Sequence, residues 1–217
     1  MPHKSILTRF DFSSAFEDKA PDYDAEQLRF FEEDKLIVVD RHDTVIGTAS
    51  KKEAHLRNSD FELREHPHRA FSLFLFNEKN ELLMQQRASY KITFPLLWTN
   101  TVCSHPLYVA EEIEEKEAKG VKRAACRKLL HELNIDARKS LIGSGIERSS
   151  TEDELLGRLH YLTRILYSAP SDEILWEHEI DYILFARTSL AAGQCTPNKN
   201  EVAAVEFVGR KEMQDFV

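Results

Sequence analysis

The nine residues His68-Arg69-Ala70-Phe71-Ser72-Leu73-Phe74-Leu75-Phe76 constrain the fold of this chain more than any other stretch. Their dense apolar run reads as a buried strand. Asn77-Glu78-Lys79-Asn80 supplies turn residues, and Glu81–Arg87 returns as a hairpin partner. Further strands are expected at Leu36–Asp40 and Thr44–Gly47, joined by the turn Arg41-His42-Asp43, and at Leu159–Tyr167, Trp176–Arg187 and Glu201–Val208. Val121, Ala125, Leu129 and Leu133 recur at i+4, so a helix with a core-facing stripe runs from Gly120 to Leu133. Asn134 stands where that helix must close, and asparagine tolerates the left-handed conformation that closes one. Lys51–Leu56 reads as a loop or helix start, Arg57–Pro67 as an exposed connector, and the glutamate-rich Ala110–Lys119 as a solvated helix or loop. Strands mixed with a few helices indicate the α+β class, a mixed β-sheet with helices packed on it.

At 217 residues, one domain is expected, with residues 1–33 as an N-terminal arm and 34–217 as the domain proper. The arm is polar with scattered aromatics (Phe10, Phe12, Phe16, Tyr23) and has no strong period, so it reads as loosely held and docked by its aromatics. The 42% hydrophobic content suffices for a substantial core. A formal net charge of −8 and a pI of about 5.6 argue against nucleic acid or an anionic membrane as the main partner. Such a chain holds an anion only through a local basic cluster or a metal. Three cysteines, Cys103, Cys126 and Cys195, are an odd count without paired spacing. They point to free thiols in a reducing compartment, the cytoplasm or a peroxisome. No apolar run is long enough to span a bilayer, and no secretory signal core follows Lys4 and Arg9.

Three groups of residues carry chemistry. Cys103 and His105 stand two apart in Thr99-Asn100-Thr101-Val102-Cys103-Ser104-His105-Pro106. In an extended segment both look to one face, which suits either metal ligation or thiol catalysis. Glu177, Glu179 and Asp181 likewise share a face of one strand. Carboxylates that close repel unless neutralised, by a divalent cation or by a shared proton. His55, His68 and His105 each lie at an element boundary, from which a side chain reaches a common mouth; His66 competes with His68, and His178 faces away from the glutamates. Three imidazoles with two carboxylates suit zinc, manganese or iron.

The motifs Ala54-His55-Leu56, His68–Ser72, Gln85-Gln86-Arg87, Lys91–Pro95, Trp98–Thr101, Cys103–Pro106 and Glu177–Tyr182 occur in one order across residues 34 to about 210. In this the chain resembles the type I isopentenyl-diphosphate isomerase family, which has a Nudix-like fold: a mixed sheet sandwiched by helices. The resemblance implies reversible conversion of isopentenyl diphosphate to dimethylallyl diphosphate through a tertiary carbocation. It assigns Cys103 and Glu179 to opposite sides of the substrate, Tyr167 to assist near Glu179, and Trp98 to an aromatic wall that stabilises a cation. It assigns a metal to His55, His68, His105, Glu177 and Glu179, with Zn²⁺, Mn²⁺ or Mg²⁺ as the ion. It places a diphosphate-bound Mg²⁺ at Glu132 and diphosphate contacts at Lys51, Arg87, Lys91 and Lys128.

Two departures from the family pattern matter. The Nudix hydrolase helix carries several acidic residues and a glycine. Here Lys128 and His131 stand for two of its glutamates and Asn134 for the glycine, leaving Glu132 alone. This favours an isomerase over a Nudix diphosphatase. The sequence also ends at Val217, a short C-terminus, where relatives continue with a helical, Trp-bearing cover. The expectation is a site that is more open or is covered by the N-terminal arm, or else a chain that is a fragment, and it keeps a third reading in play, a diphosphate-binding relative without turnover.

Overall fold

The computed structural model describes residues 12–57, 65–142 and 151–215. In chain order these form helices α1 (Phe12–Lys19) and α2 (Ala25–Glu33), strands β1 (Lys35–Val39) and β2 (Val45–Ser50), and helix α3 (Lys51–His55). Strands β3 (His68–Phe76), β4 (Leu82–Arg87), β5 (Trp98–Thr99) and β6 (Val102–Ser104) follow, then helices α4 (Lys119–Leu133) and α5 (Ala137–Ser140). Strand β7 (Leu141–Ile142), helix α6 (Glu152–Gly157) and strands β8 (His160–Pro170), β9 (Trp176–Thr188) and β10 (Val202–Val208) complete the set.

All these strands join one mixed sheet, which does not close. The dense run His68–Phe76 lies at its centre, as its composition requires. β9 pairs with β3 in parallel along all nine residues. The other edge of β3 therefore meets, in turn, β1 at His68, β6 at Phe71–Leu73 and β4 at Phe76. This arrangement puts β6 and β9, which carry Cys103 and Glu179, on opposite edges of one strand.

Helix α4 begins one residue before the expected start and buries Val121, Ala124, Ala125, Leu129 and Leu133 against the sheet. Asn134 closes it at φ 54°, and its amide reaches the carbonyls of Leu129 and Leu130. Near the other end, a Cβ on Gly120 would meet the Glu112 carbonyl oxygen at 2.1 Å. Backbone cannot yield as a flexible side chain does, so Gly120→Ala is expected to destabilise the fold by about 1–3 kcal/mol. A denaturant melt with an unchanged slope and a lower midpoint would register it.

The glutamate-rich segment before α4 is only partly solvated. Glu112 is buried, accepts from the Leu107 amide at 2.7 Å and receives Arg127 Nε and Nη2 at 2.6 and 2.9 Å. Residues 12–33, whose sequence lacks a strong period, form two helices packed on the domain. Asp24 caps α2 by accepting from the amides of Glu26 and Gln27. Phe16 and Phe31 are buried in a cluster with Leu56, Ile92, Ile174 and Leu175. Phe10 and residues 58–64 of the expected connector lie outside the described residues.

Candidate active site

Helix α3 starts at a capping box, with Ser50 and Glu53 bonding each other's backbone amides. This fixes His55 at its last residue. The His55 ring places Nδ1 2.6 Å from the Lys51 carbonyl oxygen, so Nδ1 donates and Nε2 keeps a free lone pair. The β3–β9 register sets His68 beside Glu179, and Glu177 lies two residues earlier on the same face. His105 follows β6. One ligand atom from each of His55, His68, His105, Glu177 and Glu179 lies within 4.8 Å of every other, and all five residues are buried.

His55 Nε2 and Glu177 Oε2 approach to 2.7 Å, yet neither has a hydrogen-bond partner among the described residues; His68 Nε2 has none either. His105 Nε2 lies 2.7 Å and His68 Nε2 3.3 Å from Glu179 Oε1. Burial, together with the charges of the other two rings, pushes His105 well below the ordinary imidazole range. Converging lone pairs on a buried imidazole and carboxylate, close but not hydrogen-bonded, are what ligands of a shared cation look like. The donor set fits a divalent metal, which when bound would neutralise the two glutamates.

His105, Glu177 and Glu179 of this cluster also line a cleft of about 380 Å³, with His55 and His68 buried behind them. Its walls also carry Cys103, Trp98, Tyr167, Lys51, Arg87, Lys91 and Glu132. Burial and the neighbouring Asp181 and Glu179 carboxylates push the Cys103 thiol well up, which keeps it protonated at neutral pH. Tyr167 pairs with Glu179 across β8 and β9, and burial with the charges of Glu177 and Glu179 raises its phenol. Trp98 lines the cleft and also packs against Leu82, Met84 and Val208, so it is both wall and core.

The expected basic residues gather in and beside the same cleft, with different commitments. Arg87 spends its fork on the Thr93 carbonyl, with Nε at 3.0 Å and Nη2 at 2.7 Å, and so braces the loop before Trp98. Lys91 is lowered to about 7 by burial, with Lys51, Arg87 and Lys128 adding to the effect and Glu201 opposing it. Lys128 does not line the main cleft. It lies 3.0 Å from Glu132 and borders an adjoining recess with Lys51, Lys91, His131 and Glu201. Glu132 also accepts from Gln85 Nε2 at 3.0 Å.

The structure brings Ser72 and Glu201, which the sequence does not single out, to this site, and gives Asp181 a closer role than its strand face implied. Ser72 Oγ donates to Asp181 Oδ2 at 2.9 Å and lies 3.6 Å from Cys103 Sγ. A single hydroxyl within the apolar run Ala70–Phe76 was the available signal for Ser72. Burial and the charge of Glu179 raise Asp181 to about 7; its place on the glutamate face was visible, its proximity to Cys103 was not. Glu201, nearly fully buried, receives Lys91 Nζ at 2.6 Å across 110 residues, and no local pattern announces such a pair.

The mixed sheet with helix α4 packed on it has the Nudix fold, and the NUDIX domain family matches residues 66–216. Among solved structures, a Deinococcus radiodurans protein shares the fold with a TM-score of 0.51 at 18% identity, covering 83% of this chain and 86% of that one. A NUDIX hydrolase from Alicyclobacillus acidocaldarius also gives 0.51, at 11% identity over 69% of this chain and 82% of that one. The chain belongs, within that class, to the isopentenyl-diphosphate delta-isomerase family. It is 50% identical over 190 residues to such an isomerase of Gibberella zeae, 46% identical to that of Phaffia rhodozyma and 45% identical to isomerase II, chloroplastic, of Arabidopsis thaliana. These alignments cover 86–89% of this chain and span 67%, 70% and 62% of the respective relatives. Among the described residues, no helix is long and apolar enough to cross a membrane.

Proposed function

We propose that this chain interconverts isopentenyl diphosphate and dimethylallyl diphosphate. The observation that carries the reading is the placing of Cys103 and Glu179 in one cleft from opposite edges of β3. Cys103 pairs with Ser72 and Glu179 with His68, so the two are also offset along β3. The cleft that both line takes a short hydrocarbon chain between a proton donor and a proton acceptor. In the forward direction the Cys103 thiol gives its proton to the terminal alkene carbon, and the electron pair of the double bond forms the new C–H bond. A tertiary carbocation results. Loss of a proton from the neighbouring methylene to Glu179 then sets the new double bond, with Tyr167 as a hydrogen-bond donor beside Glu179. A thiol whose proton is held this firmly is a weak acid for an alkene, so positioning and exclusion of water supply much of the rate. The Trp98 face supports the cation.

The diphosphate lies, in this reading, against Lys51, Arg87, Lys91 and Lys128, with Mg²⁺ at Glu132. The His/Glu cluster is assigned a resident divalent metal, Zn²⁺, Mn²⁺ or Mg²⁺. The three free thiols support a reducing compartment, with the cytoplasm proposed. The acidic surface supports a small-molecule partner over nucleic acid or membrane. A Nudix diphosphatase is less well supported, because α4 presents a single glutamate, Glu132, already engaged by Lys128 and Gln85.

Proton NMR of isopentenyl diphosphate in D₂O with Mg²⁺ tests the reading. Deuterated dimethylallyl diphosphate is expected. Release of inorganic phosphate without isomerisation would instead mark a diphosphatase, and a folded, metal-loaded sample that exchanges nothing would sink the isomerase.

A pH dependence follows from Lys91, which faces Lys51, Arg87, Lys128 and Glu201. With its free value near 7, Lys91 is charged below that pH before the anion arrives. Above it, binding must take up a proton. Diphosphate affinity is expected to fall as pH rises past about 7, by up to about tenfold per pH unit over the next units. Calorimetric titration at a series of pH values checks this, and Lys91→Met is expected to flatten the slope.

A further inference from the structure

The N-terminal helix α2 reaches the cleft residue Lys91 through a buried chain of polar groups. Gln27 and Glu201 are 5% and 3% exposed. Gln27 Nε2 donates to Glu201 Oε1 at 3.0 Å and to the Asn200 carbonyl at 3.2 Å. Asn200 Nδ2 in turn donates to Glu26 Oε2 at 2.6 Å, so the contact is held from both partners. The second carboxylate oxygen, Glu201 Oε2, takes Lys91 Nζ at 2.6 Å. Both oxygens of Glu201 are thereby committed and its plane is fixed.

The backbone repeats the connection. The Ala88 amide donates to the Glu201 carbonyl at 3.0 Å, and Lys91 closes the turn that Ala88 opens. Lys91 lines the cleft, whereas Glu201 does not. A carboxylate buried beside an anion site weakens anion binding if it merely adds negative charge. Held behind a lysine, it does the opposite, because it offsets the cost of keeping a buried ammonium charged. Burial and three cationic neighbours already bring Lys91 down to about 7 with Glu201 present. Glu201 is the carboxylate set against them.

We propose that Gln27 and Glu201 are positioning residues for the diphosphate site: Gln27 orients the Glu201 carboxylate, and Glu201 holds Lys91 charged and aimed into the cleft. This inference rests on the lysines' assignment to the diphosphate. It makes docking of α2 part of substrate binding, so that the segment before the Nudix core contributes to the site without touching the substrate.

Titration of inorganic diphosphate with Mg²⁺ into the full chain, followed by calorimetry, tests it in the wild type, Glu201→Gln, Lys91→Met, the double variant and Gln27→Leu. Glu201→Gln is expected to weaken binding about tenfold, the scale of one charge-assisted hydrogen bond. In the Lys91→Met background the same change is expected to weaken it no further, because the two residues act through one another. Gln27→Leu, which alters no charge, is expected to weaken binding in the same direction by a smaller factor.

Circular dichroism verifies the fold of each variant, and the Glu201/Lys91 cycle decides the matter if Gln27→Leu does not fold. Wild-type affinity or better in Glu201→Gln would overturn the proposal and make Glu201 a competitor of the anion. Fully additive losses in the double variant would also overturn it. No binding by the folded wild type would remove the diphosphate site itself, and this inference with it.

Discussion

Replacing Cys103 by alanine is expected to lower isomerisation by about a thousandfold or more, the scale of a general acid or base, while leaving the fold intact. The thiol lies on the three-residue strand β6, lining the cleft rather than filling the core. Its removal costs the sheet no backbone bond, since the Ser72–Cys103 pairing is made by main chain. Loss of one sulfur from a partly open position is expected to change stability by less than about 1 kcal/mol. The decisive readout is deuterium incorporation from D₂O together with a denaturant melt. Full activity in Cys103→Ala would refute the assignment of the thiol. Lost activity with a collapsed melt would mean the residue is structural. Serine is a useful second substitution: it keeps a proton and the approximate volume but is a far weaker acid, so it is expected to be nearly as inactive as alanine.

The second large effect is expected from His55→Ala. His55 is fully buried, tied through Nδ1 to Lys51 and packed against Phe31 with ring centroids 5.6 Å apart. Removing the ring deletes one of five ligand atoms and leaves Glu177 without its nearest partner. Metal affinity is expected to fall by about a hundredfold or more, given that loss of an outer-shell partner alone costs 10–100-fold. The cavity left by the ring is expected to cost about 2–4 kcal/mol of stability. Metal content after dialysis measures the first. The second is read from melts with and without added Zn²⁺ or Mn²⁺: the wild type is expected to rise in melting temperature with metal, as binding to the folded state requires, and the variant to respond weakly. An unchanged metal content would dissolve the proposed centre.

Much of this organisation was legible in the chain because it rests on short-range patterns. The i+4 stripe of α4 and its closure at Asn134, the hairpin after His68–Phe76, and the long strand bearing Glu177 and Glu179 follow from periodicity and turn chemistry alone. The two N-terminal helices were not legible. They are eight and nine residues long, too short to be stable alone, and each is held by one deeply buried phenylalanine, Phe16 or Phe31, rather than by a repeating stripe. Glu112 was likewise read as solvated, since only Arg127 and the Leu107 amide explain its burial.

For the site, the residue types and the i, i+2 spacings identified Cys103, His105, Glu177 and Glu179 as chemistry-bearing, and the ordered motifs named the family to which they belong. Which of them meet was decided by the β3 register. The parallel pairing of His68 with Glu179, and the antiparallel pairing of Ser72 with Cys103, bring donors from three separate stretches of chain together. Glu201, Gln27 and Ser72 acquire meaning only there. A side chain's chemistry is local, but its burial and its partners are set by strands and helices far away in sequence, and those alone make a carboxylate a ligand, a counter-ion or a solvated charge.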